Sequence, residues 1–303
     1  MLIEIFNGVI NRPYVFIFLA TFAFIGITHL GLYRWLLFLV VGTLVAFVCE
    51  ASSIRNGFPF GIYTYHPESF EGELSILGVP YWDCLSFSFL TYFSYTIALV
   101  LYSPLYKTRG DLQVLDTKEI RRSPRVLITA ALFMMMIDTV TDPVSHQGSK
   151  WFLGDLYHYP SPGAHFDVPM ANYLGWYFVG ITTLVIYTTL ELVFLESADG
   201  SEKGTRWLPF HGILGSLVYL GVYGFMFGVS IYIEDYQLAI ASTFIYVLPV
   251  AMMVALLLRP GSQATPAEIA AYLDDFPNSP VARRYFRDGP YSGPAAPRKT
   301  EVS

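Results

Sequence analysis

The chain has 303 residues, of which 54% are hydrophobic and 17% aromatic, while 14% are charged, roughly half the charged share of a soluble domain. That composition excludes an ordinary soluble globular fold. The net charge of −6, with no basic surface run, gives no support to nucleic-acid binding. Apolar runs recur along most of the length, so the sequence predicts an all-α, polytopic membrane helix bundle.

No cleavable signal peptide is expected at the start, where acidic Glu4 stands and no small-residue cleavage site precedes the first long apolar run. About seven spans are predicted, at Tyr14–Tyr33, Trp35–Glu50, Val79–Leu101, Val126–Asp142, Tyr173–Phe194, Phe210–Ile231 and Leu238–Leu258. Each is close to the ~20 apolar residues a bilayer requires. The first two join through a tight turn near Gly31 and Arg34, and the second and fourth are short and end in acidic residues.

Seven spans put the loop from Tyr102 to Arg125 and the C-terminal tail on one side. That loop carries Lys107, Arg109, Lys118, Arg121, Arg122 and Arg125. The tail carries Arg259, Arg283, Arg284, Arg287, Arg298 and Lys299, and Arg34, Lys203 and Arg206 fall on the same side. The other side has Arg12, Arg55 and Lys150. Cytoplasmic loops are the ones enriched in Lys and Arg, so the N-terminus is expected outside and the C-terminus in the cytoplasm, in the plasma membrane. Residues 1–260 are then the membrane-embedded domain. Residues 261–303, rich in Pro, Ala, Gly and charge, read as a largely disordered cytoplasmic tail with a short helix at Pro266–Asp275. Cys49 and Cys84 fall near one membrane face and read as buried free thiols, with a disulfide as the alternative if that face is oxidising.

The two long loops, Ala51–Gly78 and Pro143–Ala171, share the outer face and can converge. A short internal echo supports this: Val79-Pro80 is followed by Asp83, and Val168-Pro169 by Asn172 at the same spacing. Both polar residues read as helix N-caps after a Pro-fixed approach, and each is preceded by an outward-running helix that ends in carboxylates.

Asp138 and Asp142 lie one helical turn apart, so they share a face, and Asp138 sits within a strongly apolar stretch. A carboxyl in such a place is costly and marks a functional site; desolvation keeps its proton on near neutral pH, ready to donate. The same spacing can hold Mg²⁺ for a diphosphate, but no second Asp-x-x-x-Asp lies on a membrane helix, and the outer loops offer only Arg55 and Lys150 for phosphates. Glu50, closing its helix, is a second acid or a water-orienting base, or else an interfacial carboxylate. In Gly57-Phe58-Pro59-Phe60-Gly61-Ile62-Tyr63-Thr64-Tyr65, the two Tyr alternate and face the same way in an extended stretch, lining an apolar pocket or joining an interfacial aromatic belt. His146, His158 and His165 share a loop with Asp155 and Asp167, but without a zinc-ligand spacing; hydrogen bonding is the better reading and no metal is assigned. His29 and His211 have no evident partners in sequence. Hydrolase, P-loop, dinucleotide and di-iron signatures are absent.

Together these segments resemble a carotenoid biosynthesis membrane-protein family that includes γ-carotenoid 1′,2′-hydratases and bisanhydrobacterioruberin hydratases. The shared pattern is a Glu ending a helix (Glu50), then Gly-x-Pro-Phe-Gly-x-Tyr-x-Tyr (Gly57, Pro59, Phe60, Gly61, Tyr63, Tyr65) and Gly-Val-Pro (Gly78–Pro80). Asp-x-x-x-Asp-Pro (Asp138, Asp142, Pro143) comes next, and a second Val-Pro leads into Asn-x-x-Gly-Trp (Val168, Pro169, Asn172, Gly175, Trp176). Asp167 departs from it, standing where the family has Gly.

The resemblance implies hydration of the terminal C1=C2 bond of an acyclic (ψ-end) carotenoid, with no redox cofactor or metal. Asp138 or Asp142 would be the acid, and Glu50 or the other Asp would orient water. Phe60, Tyr63, Tyr65, Asn172 and Trp176 would form the substrate site. The implied partners are the carotenoid, water, the bilayer and other enzymes of the pathway. A prenyltransferase or cyclase of isoprenoid metabolism, a transporter and a non-enzymatic carotenoid-binding scaffold remain the alternatives.

Overall fold

A computed structural model describes residues 1–195, 204, 207–258 and 263–286, with the side chain of Leu248 left out. It contains seven helices long and apolar enough to cross a membrane. These are α2 (Pro13–Leu30), α3 (Leu32–Asn56), α4 (Tyr81–Tyr102), α6 (Pro124–Ser145), α7 (Met170–Leu190, continued by a π-turn at Glu191–Leu195), α8 (His211–Tyr232) and α9 (Tyr236–Leu258). Around them are a short apolar helix α1 (Leu2–Asn11), α5 (Lys118–Arg122), and the tail helices α10 (Pro266–Asp275) and α11 (Pro280–Tyr285). The chain is a multi-pass membrane protein.

α4 is the central helix. Its most apolar window is 83% buried, against 18% for α9 at the rim. It packs against α2, α3, α6 and α8. Hydroxyls can lie inside it because they bond back to its own carbonyls: Ser88 to Leu85 at 2.7 Å, Ser94 to Leu90 at 2.8 Å and Thr96 to Phe93 at 2.7 Å. α3 pairs with α4 and α6 with α7, as hairpins whose connecting loops lie at one end of the bundle.

Two short strand pairings organise the loops at that end. β1 (Thr64–Tyr65) pairs antiparallel with β6 (Tyr157–His158), joining the two long loops, and β2 (Ser75–Ile76) pairs with β3 (Val79–Pro80). The opposite end carries a hairpin of β4 (Leu105–Thr108) and β5 (Asp111–Val114). α10 and the residues flanking it dock there through Ala264, Ile269, Tyr272 and Phe276 around Leu115. The expected helix at Pro266–Asp275 is present, closed by a capping box on Thr265 and Glu268. The tail from Ala264 to Phe286 is packed rather than disordered, because its apolar residues find this second core. Its continuation, with Arg287, Arg298 and Lys299, lies outside the described residues, as do Lys203, Arg206 and Arg259.

Two helices run further than expected. α3 continues from Glu50 to Asn56, and α6 passes through Pro143 to Ser145, so neither Glu50 nor Asp142 ends its helix. Pro143 has no N–H for the Thr139 carbonyl one turn back. His165 Nε2 supplies the missing donor at 3.0 Å, which lets the helix continue. Asp83 and Asn172 are not N-caps either: Pro80 and Pro169 hold those positions and the two polar residues lie in the first turn. Cys49 and Cys84 are buried and free.

The opposite end is tied by buried charge. Glu191 Oε1 accepts from Arg34 at 2.9 Å and lies 3.0 Å from Arg121. Asp116 lies 3.2 Å from His29, whose other ring nitrogen is 3.0 Å from the Tyr92 hydroxyl. His211 reaches Thr28 at 2.8 Å, so both span histidines have partners.

Candidate active site

The first half of the site is made by the α3–α4 hairpin. Glu50 lies one turn before the Ser53 hydroxyl that accepts the Phe60 amide at 3.0 Å, and this bond folds the Gly57–Tyr65 loop back over the helix. Tyr65 is thereby turned inward, and its hydroxyl donates to Glu50 Oε2 at 3.0 Å and also meets Asp83 Oδ2. A phenol has one proton to give. It serves two carboxyl groups at once only if one of them gives a proton back, so the trio is suited to hold or pass a proton. Burial, and then the charges of Asp83 and Glu50, push the Tyr65 phenol well above its ordinary range, which keeps it a donor.

The second half comes from the α6–α7 hairpin. Asn172 Nδ2 donates to Asp138 Oδ2 at 2.6 Å and to Asp142 Oδ2 at 3.0 Å. Asp142 also accepts from Tyr159 at 2.6 Å and from Tyr157. Burial, followed by the negative charge of Asp142, raises both phenols well above their usual range. The two Asp therefore differ. Asp142 is surrounded by donors on both oxygens, whereas Asp138, fully buried, has an Oδ1 with no hydrogen-bond partner. Strand pairing sets Tyr65 opposite Tyr157 and so brings the two halves together.

The halves are alike in backbone as well as sequence. Leu77 and Gly78 have φ of 53° and 83°, and Phe166 and Asp167 have 50° and 66°. Each left-handed pair turns the chain into Val-Pro and the returning helix. Asp167 thus occupies a conformation that glycine adopts freely and that Asp tolerates better than most residues.

Between the halves lies a cavity of about 460 Å³. All eight residues expected from sequence line it: Glu50, Phe60, Tyr63, Tyr65, Asp138, Asp142, Asn172 and Trp176. Its walls are aromatic. Trp176 stacks on Phe87 at 4.5 Å, and the Tyr63 ring lies 5.3 Å from Tyr65 and 6.0 Å from Tyr157. Tyr63 carries a buried hydroxyl without a partner. Phe60 fits only because Gly175 has no side chain; a Cβ there would come within 2.4 Å of its ring. Such walls can hold an apolar chain and face a cation with ring π-density.

Asp83, Tyr157 and Tyr159 were missed by the sequence reading. The signal for the tyrosines was Tyr157-x-Tyr159, the same alternation as Tyr63-x-Tyr65. The signal for Asp83 was its alignment with Asn172 in the echo. The loop histidines do not converge: His146 lies beside the Tyr159 ring at 5.6 Å, His158 pairs with His66 at 3.1 Å, and His165 serves Thr139. Among the described residues no group of three or more His, Cys, Asp or Glu is disposed to hold a metal ion. The Asp155 carbonyl accepts from Ser69 at 2.5 Å, outside the cavity.

A family model described as carotenoid biosynthesis protein matches residues 11–249. No curated protein and no solved structure matches the chain.

Proposed function

The chain belongs to the carotenoid biosynthesis protein family, and from that premise we propose that it is a carotenoid hydratase, adding water across the terminal C1=C2 bond of an acyclic ψ-end. Asp138 is the acid. Its Oδ1 is buried, makes no hydrogen bond and belongs to a residue that lines the cavity, and this is the observation that carries the reading. A proton passes from Asp138 to C2, leaving a tertiary cation at C1. Asp142, held by Tyr157, Tyr159 and Asn172, supplies nearby negative charge in a site of low dielectric. Tyr63 and Trp176 offer ring faces to the cation. Water adds to C1 and gives up a proton to the Glu50–Tyr65–Asp83 set. Return of that proton to Asp138, through water in the cavity, resets the acid, so one water is consumed, no net proton is gained or lost and no electron changes hands.

The face bearing the site and the N-terminus is assigned to the outside and the tail to the cytoplasm of the plasma membrane, from the Lys and Arg distribution. The partners are the carotenoid, water and lipid, with other enzymes of the pathway as neighbours.

The test is expression in a bacterial host that makes lycopene, with mass analysis of the extracted pigments. A product heavier by one water, lost in Asp138→Asn at matched abundance, is expected. Unchanged pigment with confirmed membrane expression, repeated over several acyclic carotenoids, overturns the reading.

A further inference from the structure

Beyond the carboxyl groups the cavity reaches a mainly apolar stretch, in which Tyr14, against the Phe152 ring at 5.7 Å, is the polar exception. There it lies between α2 and α8, whose lining residues include Ile17, Phe18, Val222 and Phe225. At the opposite end of the bundle these two helices are pinned, with Thr28 and His211 only 2.8 Å apart. Toward the site end the space between them belongs to the cavity. The back wall is α4, where Phe89 stacks against Phe18 at 5.8 Å. The roof is Phe152, 6.5 Å from Phe225. Three of these residues line the cavity yet remain open on the outer side: Ile17 is 64% exposed, Phe152 66% and Phe225 47%. Ile17 and Phe225 lie on spanning helices, so lipid is the medium they are exposed to.

A cavity of about 460 Å³ falls in the range of ordinary small-ligand pockets. It accommodates the end of an acyclic carotenoid, whereas the whole molecule is long enough to cross a bilayer. The rest of the chain therefore needs an apolar exit in line with the reacting end. The slot between α2 and α8 is such an exit, continuous with the site and edged by rings and branched aliphatics.

Resting on the hydratase reading, we propose that the substrate enters sideways from the lipid through the α2–α8 slot, that its polyene remains there during reaction, and that Ile17, Val222 and Phe225 determine which chains are admitted. The site then reads only the terminal isoprenoid unit, and the slot reads the width and straightness of the polyene behind it. Chains whose polyene carries only its methyl branches next to the end group pass, and chains with a ring or bulky substituent close to it do not.

Loading is measured apart from turnover. Asp138→Asn protein purified from lycopene-producing cells is expected to retain pigment, read as visible absorbance per protein. Adding Ile17→Trp or Val222→Phe lowers the retained pigment roughly tenfold, as overfilling a packed slot implies. Val222→Ala retains it. Leu217→Phe, on an exposed position of α8 that does not line the cavity, leaves it unchanged. Monodisperse elution of each variant separates blocked entry from misfolding, and Ile17→Trp, at an exposed position, covers the case in which Val222→Phe fails to fold. Equal pigment in the slot variants and their parent overturns the slot, as does a parent that retains none. Pigment retained by the parent and lost in the slot variants, with no hydrated product from the wild type, supports the slot and overturns the hydratase reading alone.

Discussion

The two ends of the bundle both bury carboxyl groups, and they treat them differently. At the tail end Glu191 meets Arg34 and Arg121, and Asp116 meets His29, all within 3.2 Å. A void of about 30 Å³ beside His29 has room for about one water. At the site end the hydrogen-bond partners of Glu50, Asp83, Asp138 and Asp142 include phenols and an amide, all neutral. There the groups surround a cavity more than ten times larger. An arginine beside a buried carboxylate fixes it as an anion and as a structural tie. Neutral donors solvate it without neutralising it, and leave a proton free to move. The same residue type therefore locks one end of the bundle and, at the other, suits the acid chemistry proposed for it.

The contrast is broken most severely by Asp138→Asn. It keeps the bond from Asn172 available in shape but removes the proton, and should lower hydration by about 10²–10⁴-fold without lowering the unfolding temperature in detergent. At the other end Glu191→Gln should do the reverse. Leaving Arg34 without its counter-charge, and Arg121 with Asp116 alone at 4.0 Å, should cost about 3–5 kcal/mol of stability, read as earlier thermal aggregation, with turnover per folded molecule little changed. Tyr65→Phe sharpens the comparison within the site: it removes the hydroxyl shared by Glu50 and Asp83 and should slow kcat roughly tenfold, while pigment loading stays normal.

The smallest effect is expected at Asp111, where the tail is tied to β5. Burial alone would raise its carboxyl, but the Phe210 amide, the Tyr285 phenol, the Gln113 side chain and the Leu112 amide outweigh it and hold it below its usual value. A lowered carboxyl stabilises the folded form above the ordinary value of about 4, and that contribution is lost as pH falls through the folded value. Asp111→Asn should cost about 1–2 kcal/mol at neutral pH and expose the tail to protease. Acidification below about pH 4 should do the same to the wild type. Undiminished protection of the tail in the variant would remove Asp111 from this role.

Much of this was legible in the sequence. Seven apolar runs became seven spanning helices, because a bilayer fixes both length and composition of the segments that cross it. Asp138, Asp142 and Glu50 stood out because charge in such runs is expensive. Local rules misled at the helix ends. Asp-Pro usually ends a helix, but His165, far along the chain, supplies the donor that allows α6 to continue. Asp83 looks like a cap after Val-Pro, and only the fold of the Tyr65 loop shows it turned toward Glu50. Tyr157 and Tyr159 were hidden for the same reason: a polar loop does not announce that a two-residue strand pairing will draw it into the membrane face.

The location of the cavity bears on the course of the reaction over time. On the proposed reading its reactive end lies at one face of the bundle and the substrate enters sideways between α2 and α8. A symmetrical carotenoid with one end inside would therefore have its other end deep in the lipid, out of reach of Asp138. Modifying both ends then takes two separate encounters, with full release and reorientation between them. The half-modified molecule should appear first, mix freely with the membrane pool and compete with unmodified carotenoid for the next visit, so that the doubly modified form builds up only after a lag.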